Sequence, residues 1–346
     1  MIQGDVKYIT SPVFELLSAM FRVHAHESLL LDETREISGK PVELTEWVER
    51  MRAQLPEEIK EELAVFFDWE SFIGLPFIRF AWEQKIYESV DVFINYLRTT
   101  DPQTIFTQFL KTGFKREDLP DVARIEPTIA FINESNWPEK EKWKLTYLFM
   151  NREEAKKRFI ALIENFWPYL KDDMSICLER QSDSVAKIQG FMGEHPRANV
   201  VDFFPPLAGA TPKEVDEFIL APSVFYYDCS LTSETEDSFL YVYGIKQPDF
   251  LLEINANREK LFDAFKILSD ERRVNIIRLL NQGPLYGYEL ANRLNLSNST
   301  VSHHLSALSA AGLVKSVRKE NRVYYEVRAE EIEKLLERMK HSLIQR

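Results

Sequence analysis

Two short segments near the C-terminal end, separated by a tight turn, restrict the possible fold more than any other feature of this sequence. Residues 286–294 and 299–310 each carry apolar residues at helical spacing, so each is predicted to be a helix with one apolar face. Ser297 stands at the cap position of the second helix, and Gly312 marks its end. This spacing predicts a helix-turn-helix.

The second of these helices has two chemically different faces. The face predicted to turn inward consists of Val301, His304, Leu305 and Leu308. The outward face consists of Ser299, Ser302, His303 and Ser306. Solvated helix faces usually carry Glu and Lys, whereas this outward face has no acidic residue. A face of small polar side chains around one imidazole suits close approach to the bases and phosphates of a nucleic acid.

Helices are also predicted before the motif. Residues 259–268 have apolar positions on one helical face, and Ser269-Asp270 is a cap signature for a further helix at 271–280. That helix is expected to end at Gly283-Pro284, because glycine commonly follows the end of a helix and proline cannot continue one.

After the motif, residues 313–317 and 322–327 are predicted to be two strands joined by a basic tip at 318–321. We call this hairpin the wing. Its cations would neutralise phosphates beside a groove. The last predicted helix, 330–345, is amphipathic and has little of the domain left to pack on, so we interpret it as a dimer helix.

The distribution of charge separates this C-terminal segment from the rest. The chain has 346 residues and a net charge of −12. Residues 258–346 contain 16 basic and 11 acidic residues, whereas the rest of the chain contains 27 basic and 44 acidic residues. A basic end on an acidic body indicates one module that faces DNA, attached to a module of another kind.

The order of these elements resembles the winged helix-turn-helix domains of ArsR-type regulators. The matching stretches are LFDAFKILSDERRVNIIRLL, ELANRLNLSNSTVSHHLSALSAAGLV and VKSVRKENRVYYEV. The resemblance implies a homodimer on a near-palindromic double-stranded DNA operator, with recognition helices in successive major grooves about 34–36 Å apart. Repression is the mode that it implies. The residues that it places on DNA are Ser297, Ser299, Thr300, Ser302, His303 and Ser306 in the helix, and Arg318, Lys319 and Arg322 in the wing.

The chain departs from the metal-sensing members of that family. Those members carry cysteines where this chain has residues 289–293, or His and acidic ligands on the last helix, which here offers only His341 among glutamates. Zinc prefers several nitrogen or sulfur ligands together. We therefore expect neither a metal nor a cofactor in this domain.

The first 255 residues are predicted to form a separate, mostly helical domain, followed by the winged helix at 256–346. Helices are expected at about 42–66, 82–99, 101–113, 138–170 and 172–192, with a first helix opened by Ser11-Pro12 and a short one that starts at 211–214. Residues 223–229 and 238–243 are predicted to form a hairpin with a turn at 230–237. The fold class is thus mainly α (α+β). The stretches SPVFELLSAMFRV and LAPSVFYYDCS resemble a domain that precedes ArsR-like winged helices in some bacterial regulators.

Several features of this first domain have a functional and a structural interpretation. The histidines His24 and His26 point about 200° apart on a helix, so they share an ion only if the helix ends there. The aromatic segment 66–82 either lines a ligand pocket or, as is commoner, packs in the core. The isolated cysteines Cys177 and Cys229 are more typical of buried, inert thiols than of oxidant sensors.

The sequence thus predicts a DNA-binding transcriptional regulator that is not an enzyme, since no catalytic motif is found. Without a signal peptide or a membrane-spanning stretch, it is expected in the cytoplasm. The first domain would respond to a small-molecule effector. Two alternatives stay open: an enzyme fused to a DNA-binding domain, and a protein–protein interaction module in which the winged helix is only a dimer clamp.

Overall fold

The computed structural model describes residues 5–31, 42–112, 119–194, 215–227, 229–235, 237–249, 266–319 and 322–344. The chain divides into two compact units, Met1–Asp249 and Phe250–Arg346. The predicted helix at 211–214, most of the one at 259–268, and the wing positions 320 and 321 lie outside the described residues.

The first unit is built mainly from helices. They are α1 (Pro12–Leu31), α2 (Val42–Gln54), α3 (Glu57–Phe66), α4 (Pro76–Glu83), α5 (Val90–Thr99), α6 (Pro102–Leu110), α7 (Ile125–Glu134), α8 (Glu139–Met150), α9 (Arg152–Leu170) and α10 (Met174–Glu194). The expected single helices at 42–66 and 138–170 are each two helices. Pro56 is the N-cap of α3, and Asn151 leaves helical geometry between α8 and α9. Residues 84–89 are likewise not helical, because α5 begins only after Ser89.

Helix α1 runs through the core of this unit. Its predicted start is confirmed, since Pro12 is the first helical residue and the Oγ of Ser11 accepts a hydrogen bond from the backbone N–H of Phe14 at 3.1 Å. The helix contacts α2, α3, α4, α5, α9, α10 and the second strand. Ala25 departs from helical geometry, with φ −95° and ψ 17°, so α1 is kinked there.

The aromatic residues form much of this core. The ring of Phe159 on α9 lies 4.5 to 5.4 Å, centroid to centroid, from the rings of Phe66, Phe77 and Phe109. All four side chains are fully buried. Tilted and edge-on aromatic pairs of this kind stabilise a core more than the area that they bury would by itself.

Among the helices that the structure describes, none combines the length and the hydrophobicity that a membrane span requires.

A four-stranded mixed sheet completes the first unit. Its strands are β1 (Asp5–Tyr8), β2 (Glu217–Ser223), β3 (Ser230–Glu234) and β4 (Ser238–Gly244), in the order β1-β2-β4-β3. Strand β2 is parallel to both β1 and β4, and only β3 and β4 form an antiparallel hairpin. The predicted hairpin between 223–229 and 238–243 is therefore wrong. Residues 224–227 form a turn, and the predicted turn contains β3.

The second unit is a winged helix-turn-helix. It comprises α11 (Glu271–Leu280), β5 (Leu285–Tyr286), α12 (Gly287–Leu294), α13 (Asn298–Ala310), β6 (Val314–Lys319), β7 (Arg322–Val327) and α14 (Ala329–Ile344). The turn between α12 and α13 contains Asn295 in the left-handed region, with φ 53° and ψ 44°, a conformation that asparagine tolerates better than most residues. Asp270 caps α11, as predicted, by accepting from the backbone N–H of Arg272 at 2.9 Å.

The three strands of this unit form a sheet in the order β5-β7-β6. The sequence did not predict β5, which pairs Leu285 with Tyr325 and so attaches the wing to the start of α12. The last helix also differs from expectation, because it does pack on its own domain. Leu335 is buried in the core and Ile332 packs against it, whereas Leu336 is 54% exposed.

Candidate nucleic-acid interface

Helix α13 is fixed at its N-terminus by its own cap. The Oγ of Ser297 accepts a hydrogen bond from the backbone N–H of Thr300 at 3.1 Å, and it lies 2.9 Å from Ser299 Oγ and 2.7 Å from Thr300 Oγ1. Such a cap satisfies a backbone donor that the first turn of a helix otherwise leaves unpaired. These three hydroxyls therefore form one small cluster at the point where the recognition helix begins.

The two predicted faces of α13 are confirmed by burial. Val301, Leu305 and Leu308 are buried in the domain core. Ser299, Ser302, His303 and Ser306 are exposed, and Thr300 is half-buried. The side chains of Ser302, His303 and Ser306 make no hydrogen bond to any described residue. Their donors and acceptors are thus available to a ligand that approaches this face.

His304 connects the recognition helix to α11 from the inside. It is buried, and its Nδ1 accepts a hydrogen bond from Nε of Arg273 at 3.4 Å and lies 3.7 Å from Asp270 Oδ2. Burial lowers the pKa of His304, although the nearby Asp270 acts in the opposite direction. A neutral ring that accepts at Nδ1 carries its proton on Nε2, which has no hydrogen-bond partner in the described part of the chain. The expectation that His304 is a core residue is confirmed, but its link to Arg273 and Asp270 was not predicted.

The wing is placed by the register of its two strands. Lys319 lies opposite Arg322, and Arg318 lies opposite Val323. Strand β6 ends two residues later than predicted, whereas β7 has the predicted bounds, so these three basic residues stand near the strand ends beside the tip. Only their backbone is described, and their contact with phosphates stays a prediction. Elsewhere on β6, the ammonium group of Lys315 pairs with Glu326 at 3.1 Å.

Helix α12 presents a further exposed surface that the sequence analysis did not single out. Tyr288 is 56% exposed, and its ring stacks on Tyr286 with a centroid distance of 6.3 Å. Asn292 and Arg293 are exposed on the same helix. Their position on the first helix of the motif was visible in the sequence, but nothing in the sequence marked them as exposed rather than packed.

Among the described residues, His24 and His26 belong to no cluster of three possible metal ligands. Nε2 of His26 lies 3.1 Å from Thr45 Oγ1, and burial lowers the pKa of His26 to about 4. The one cluster of three possible ligands among the described residues is Asp68, Glu70 and Glu141. Lys140 forms ion pairs with Asp68 and Glu70, and Lys144 with Glu141, so lysines already occupy this cluster.

The two cysteines and the aromatic segment largely follow their structural interpretations. Cys177 and Cys229 are buried and form no disulfide, and burial raises the pKa of Cys177, which disfavours the reactive thiolate. Within 66–82, most of the phenylalanines pack in the core, but Phe72 and Leu75 line a cleft.

The order of helices and strands in the second unit, α11-β5-α12-α13-β6-β7-α14, defines a winged helix-turn-helix domain. Residues 270–316 match the profile of the family described as bacterial regulatory protein, arsR family. The chain belongs to this family.

Curated relatives match the same C-terminal part of the chain. The chain is 33% identical over 90 residues to the transcriptional activator HlyU of Vibrio cholerae. This alignment covers 26% of this chain and 83% of the relative. The chain is 39% identical over 94 residues to the cadmium resistance transcriptional regulatory protein CadC of Listeria innocua. This alignment covers 25% of this chain and 79% of the relative. The chain is 35% identical over 63 residues to the transcriptional repressor SdpR of Bacillus subtilis. This alignment covers 18% of this chain and 70% of the relative.

Proposed function

We propose that this protein is a sequence-specific, DNA-binding transcriptional regulator and not an enzyme, and that it acts in the cytoplasm. The observation that carries the proposal is the outward face of α13. This face is exposed and contains no acid, and its Ser302, His303 and Ser306 side chains make no hydrogen bond to any described residue. A polyanion with hydrogen-bonding base edges complements such a face.

The contacts divide into two kinds. Base edges in the major groove would meet Ser299, Thr300, Ser302, His303 and Ser306, with Ser297 near the backbone at the helix start. Phosphates would meet Arg318, Lys319 and Arg322 on the wing. Base contacts provide sequence discrimination, whereas phosphate contacts fix orientation and contribute most of the salt dependence.

We further propose a homodimer on a near-palindromic operator, with half-sites about one helical turn, ~34–36 Å, apart. The exposed Leu336 of α14 supports a role for this helix in the dimer, because this apolar side chain faces outward although the helix packs on its own domain through Leu335. Among the relatives, SdpR is a repressor and HlyU an activator. We propose repression, since a dimer that covers two half-sites blocks access to a promoter without any further contact.

The first unit would supply the response to a signal. An effector that binds the two states of a regulator with different affinity shifts the balance between them, and so changes operator affinity by the same coupling free energy. The acidic character of this unit disfavours direct contact with DNA, which agrees with a sensory rather than a DNA-binding role.

The test is binding of the full-length protein to its own promoter region, compared with random DNA of equal length across a salt series. We expect tight, sequence-dependent binding whose affinity falls steeply with salt. The double variant Ser302→Glu/His303→Glu should lose operator binding by about 100-fold or more, because two carboxylates would face the groove.

The matched control carries the same two charges far from the motif. Gln54→Glu/Ser182→Glu changes exposed positions on α2 and α10 and should bind the operator like the wild type. Wild-type affinity and discrimination in the Ser302/His303 variant at moderate salt would exclude the proposed base contacts and favour the protein–protein interaction module.

A further inference from the structure

We infer that a cleft in the first unit binds a small amphipathic carboxylate, a molecule with an apolar body and one acidic head. This inference deepens the proposed function, on which it rests only for the role of that molecule as the effector. The cleft lies between α4, the end of α6, and the hairpin formed by β3 and β4.

The size of the cleft fits a small molecule. The cavity in it measures about 130 Å³. This is less than the roughly 300–1,000 Å³ of sites for drug-sized ligands, so the ligand must be small; such sites are mostly apolar. The apolar part of this wall includes Phe72, Leu75, Ile78, Leu231, Leu240 and Val242. Such a surface favours an aliphatic or aromatic body.

A buried cation lines the same cleft. Arg79 is 5% exposed, and its Nε donates to Glu83 Oε1 at 3.2 Å. Its Nη2 donates to Thr235 Oγ1 at 2.8 Å and to Ser238 Oγ at 2.6 Å. These bonds fix the guanidinium group against the hairpin, so its charge is held in place before any ligand arrives. A fixed charge stabilises an opposite charge without the cost of ordering a flexible side chain.

Two more polar groups line the same cleft. Lys111 also lines the cleft, and its Nζ lies 3.9 Å from Glu83 Oε2. Thr112 is 5% exposed, and its Oγ1 has no hydrogen-bond partner in the described part of the chain. A buried hydroxyl without a partner is unfavourable, and a ligand oxygen that accepts its proton would remove that cost.

Two cations, Arg79 and Lys111, and two acids line the polar part of the cleft, but the acids are less available to a ligand than the cations and the Thr112 hydroxyl. Of the acidic side chains that line it, Glu83 is bound to Arg79, and Glu234 is exposed to solvent, where water and salt screen its charge. A carboxylate matches this set better than an amine, because it accepts several hydrogen bonds and carries the opposite charge. The apolar wall and the donor group together define an amphipathic carboxylate.

The test is a calorimetric titration of the full-length protein, without DNA, with octanoate and 4-phenylbutanoate and with their primary amides as matched neutral probes. We expect saturable binding of at least one carboxylate, and binding of its amide that is weaker by about tenfold or more. Lys111→Met and Thr112→Val should each weaken carboxylate binding by about five- to tenfold, since the first removes the ammonium group and the second the hydroxyl, while both keep the side-chain volume similar.

The controls are Lys60→Met on α3 and Thr99→Val on α5, which do not line the cleft and should bind the carboxylates like the wild type. Circular dichroism and the melting temperature without ligand show whether each variant is folded. Because there are two cleft variants, the test still stands if one of them does not fold. Failure of both carboxylates to bind, equal affinity for the amides, or wild-type affinity in both cleft variants would overturn the inference. Because no DNA is present, failure of operator binding does not affect this result.

Discussion

Helix α1 of the first unit and helix α13 of the second both carry a stripe of polar residues, but the two stripes have opposite environments. On α1 and its cap the stripe consists of Ser11, Glu15, Ser18, Arg22 and His26, and all five are buried. On α13 it consists of Ser299, Ser302, His303 and Ser306, and all four are exposed. Both stripes recur at helical spacing, so the pattern alone does not reveal which one faces the core.

The difference lies in what the polar atoms contact. Glu15 accepts from the backbone N–H of Val224 and from Nε2 of Gln181, both at 2.8 Å. Arg22 donates from Nε to Phe225 O at 2.6 Å and from Nη2 to Tyr226 O at 3.2 Å. The stripe on α1 thus holds the turn after β2 in place. Buried polar groups need partners of this kind, whereas the exposed face of α13 keeps its bonding capacity for another molecule.

The largest effect should follow from breaking the α1 stripe. Arg22→Met leaves two buried backbone carbonyls without their donor, so we expect the free energy of unfolding to fall by about 2–5 kcal/mol. Denaturant titration measures this. Arg50→Met, at an exposed position on α2, should change it by less than about 0.5 kcal/mol. Equal effects of the two changes would show that the α1 stripe is not structural.

The next effect concerns pH. Burial raises the pKa of Glu15 from 4.5 to about 7, although hydrogen bonds from Ser223, Val224 and Gln181 oppose the shift. The folded state therefore holds this proton more tightly than the unfolded state. The resulting stability is fully present below pH 4.5 and is lost as the pH rises to about 7.

We expect the unfolding free energy of the wild type, measured relative to Glu15→Gln, to decrease by roughly 1–3 kcal/mol between pH 4.5 and 7.5. Denaturant titrations of both proteins at four pH values give this difference and cancel the contribution of other groups. A difference that does not vary with pH would mean that Glu15 titrates alike in the folded and unfolded states.

A smaller effect is expected at the start of the recognition helix. Ser297→Ala removes the oxygen that accepts from the Thr300 N–H, and loss of such a cap typically lowers stability by about 0.5–2 kcal/mol. Thermal unfolding of the full chain measures the change. Ser309→Ala, exposed near the other end of α13, is the matched control and should be neutral. Equal melting temperatures of the two variants would contradict the capping role.

The smallest effect on stability is expected on the outward face of α13. Ser302→Ala should alter the unfolding free energy by less than about 0.5 kcal/mol, because the hydroxyl contacts no described partner. Operator affinity should nevertheless fall by about two- to tenfold, as for the loss of one hydrogen bond. Operator-binding and unfolding experiments on this same variant separate its effect on affinity from its effect on stability. Reduced stability with unchanged affinity would reverse the contrast between α13 and α1.

The second unit was predicted closely because its information is local. Asp270 and Ser297 cap helices with their own side chains, Asn295 adopts the left-handed conformation of the turn, and the inward face of α13 follows helical spacing. Each of these features is decided by residues within one or two turns along the chain. What was missed, β5 and the link from His304 to Arg273, depends on residues 31 to 40 positions apart.

The first unit was predicted in outline only, because its key contacts join distant parts of the chain. Residues 223–229 have the composition of a strand, yet 224–227 form a turn held by Glu15 and Arg22, about 200 positions earlier. Strand β2 is parallel and pairs with β1, at a similar separation. The composition of a segment indicates whether it can form a strand, but it does not specify which distant strand it pairs with.

The sequence by itself determined the helix-turn-helix, its caps, its wing and the polar face of α13, since side-chain periodicity and local hydrogen bonds fix these features. Only the tertiary structure decided that the polar stripe of α1 faces inward, that β2 is a parallel central strand, and that Arg79, Lys111 and Thr112 line one cleft. The physical reason is that burial and pairing depend on contacts between residues far apart in the chain, whereas caps and helical faces depend on neighbours.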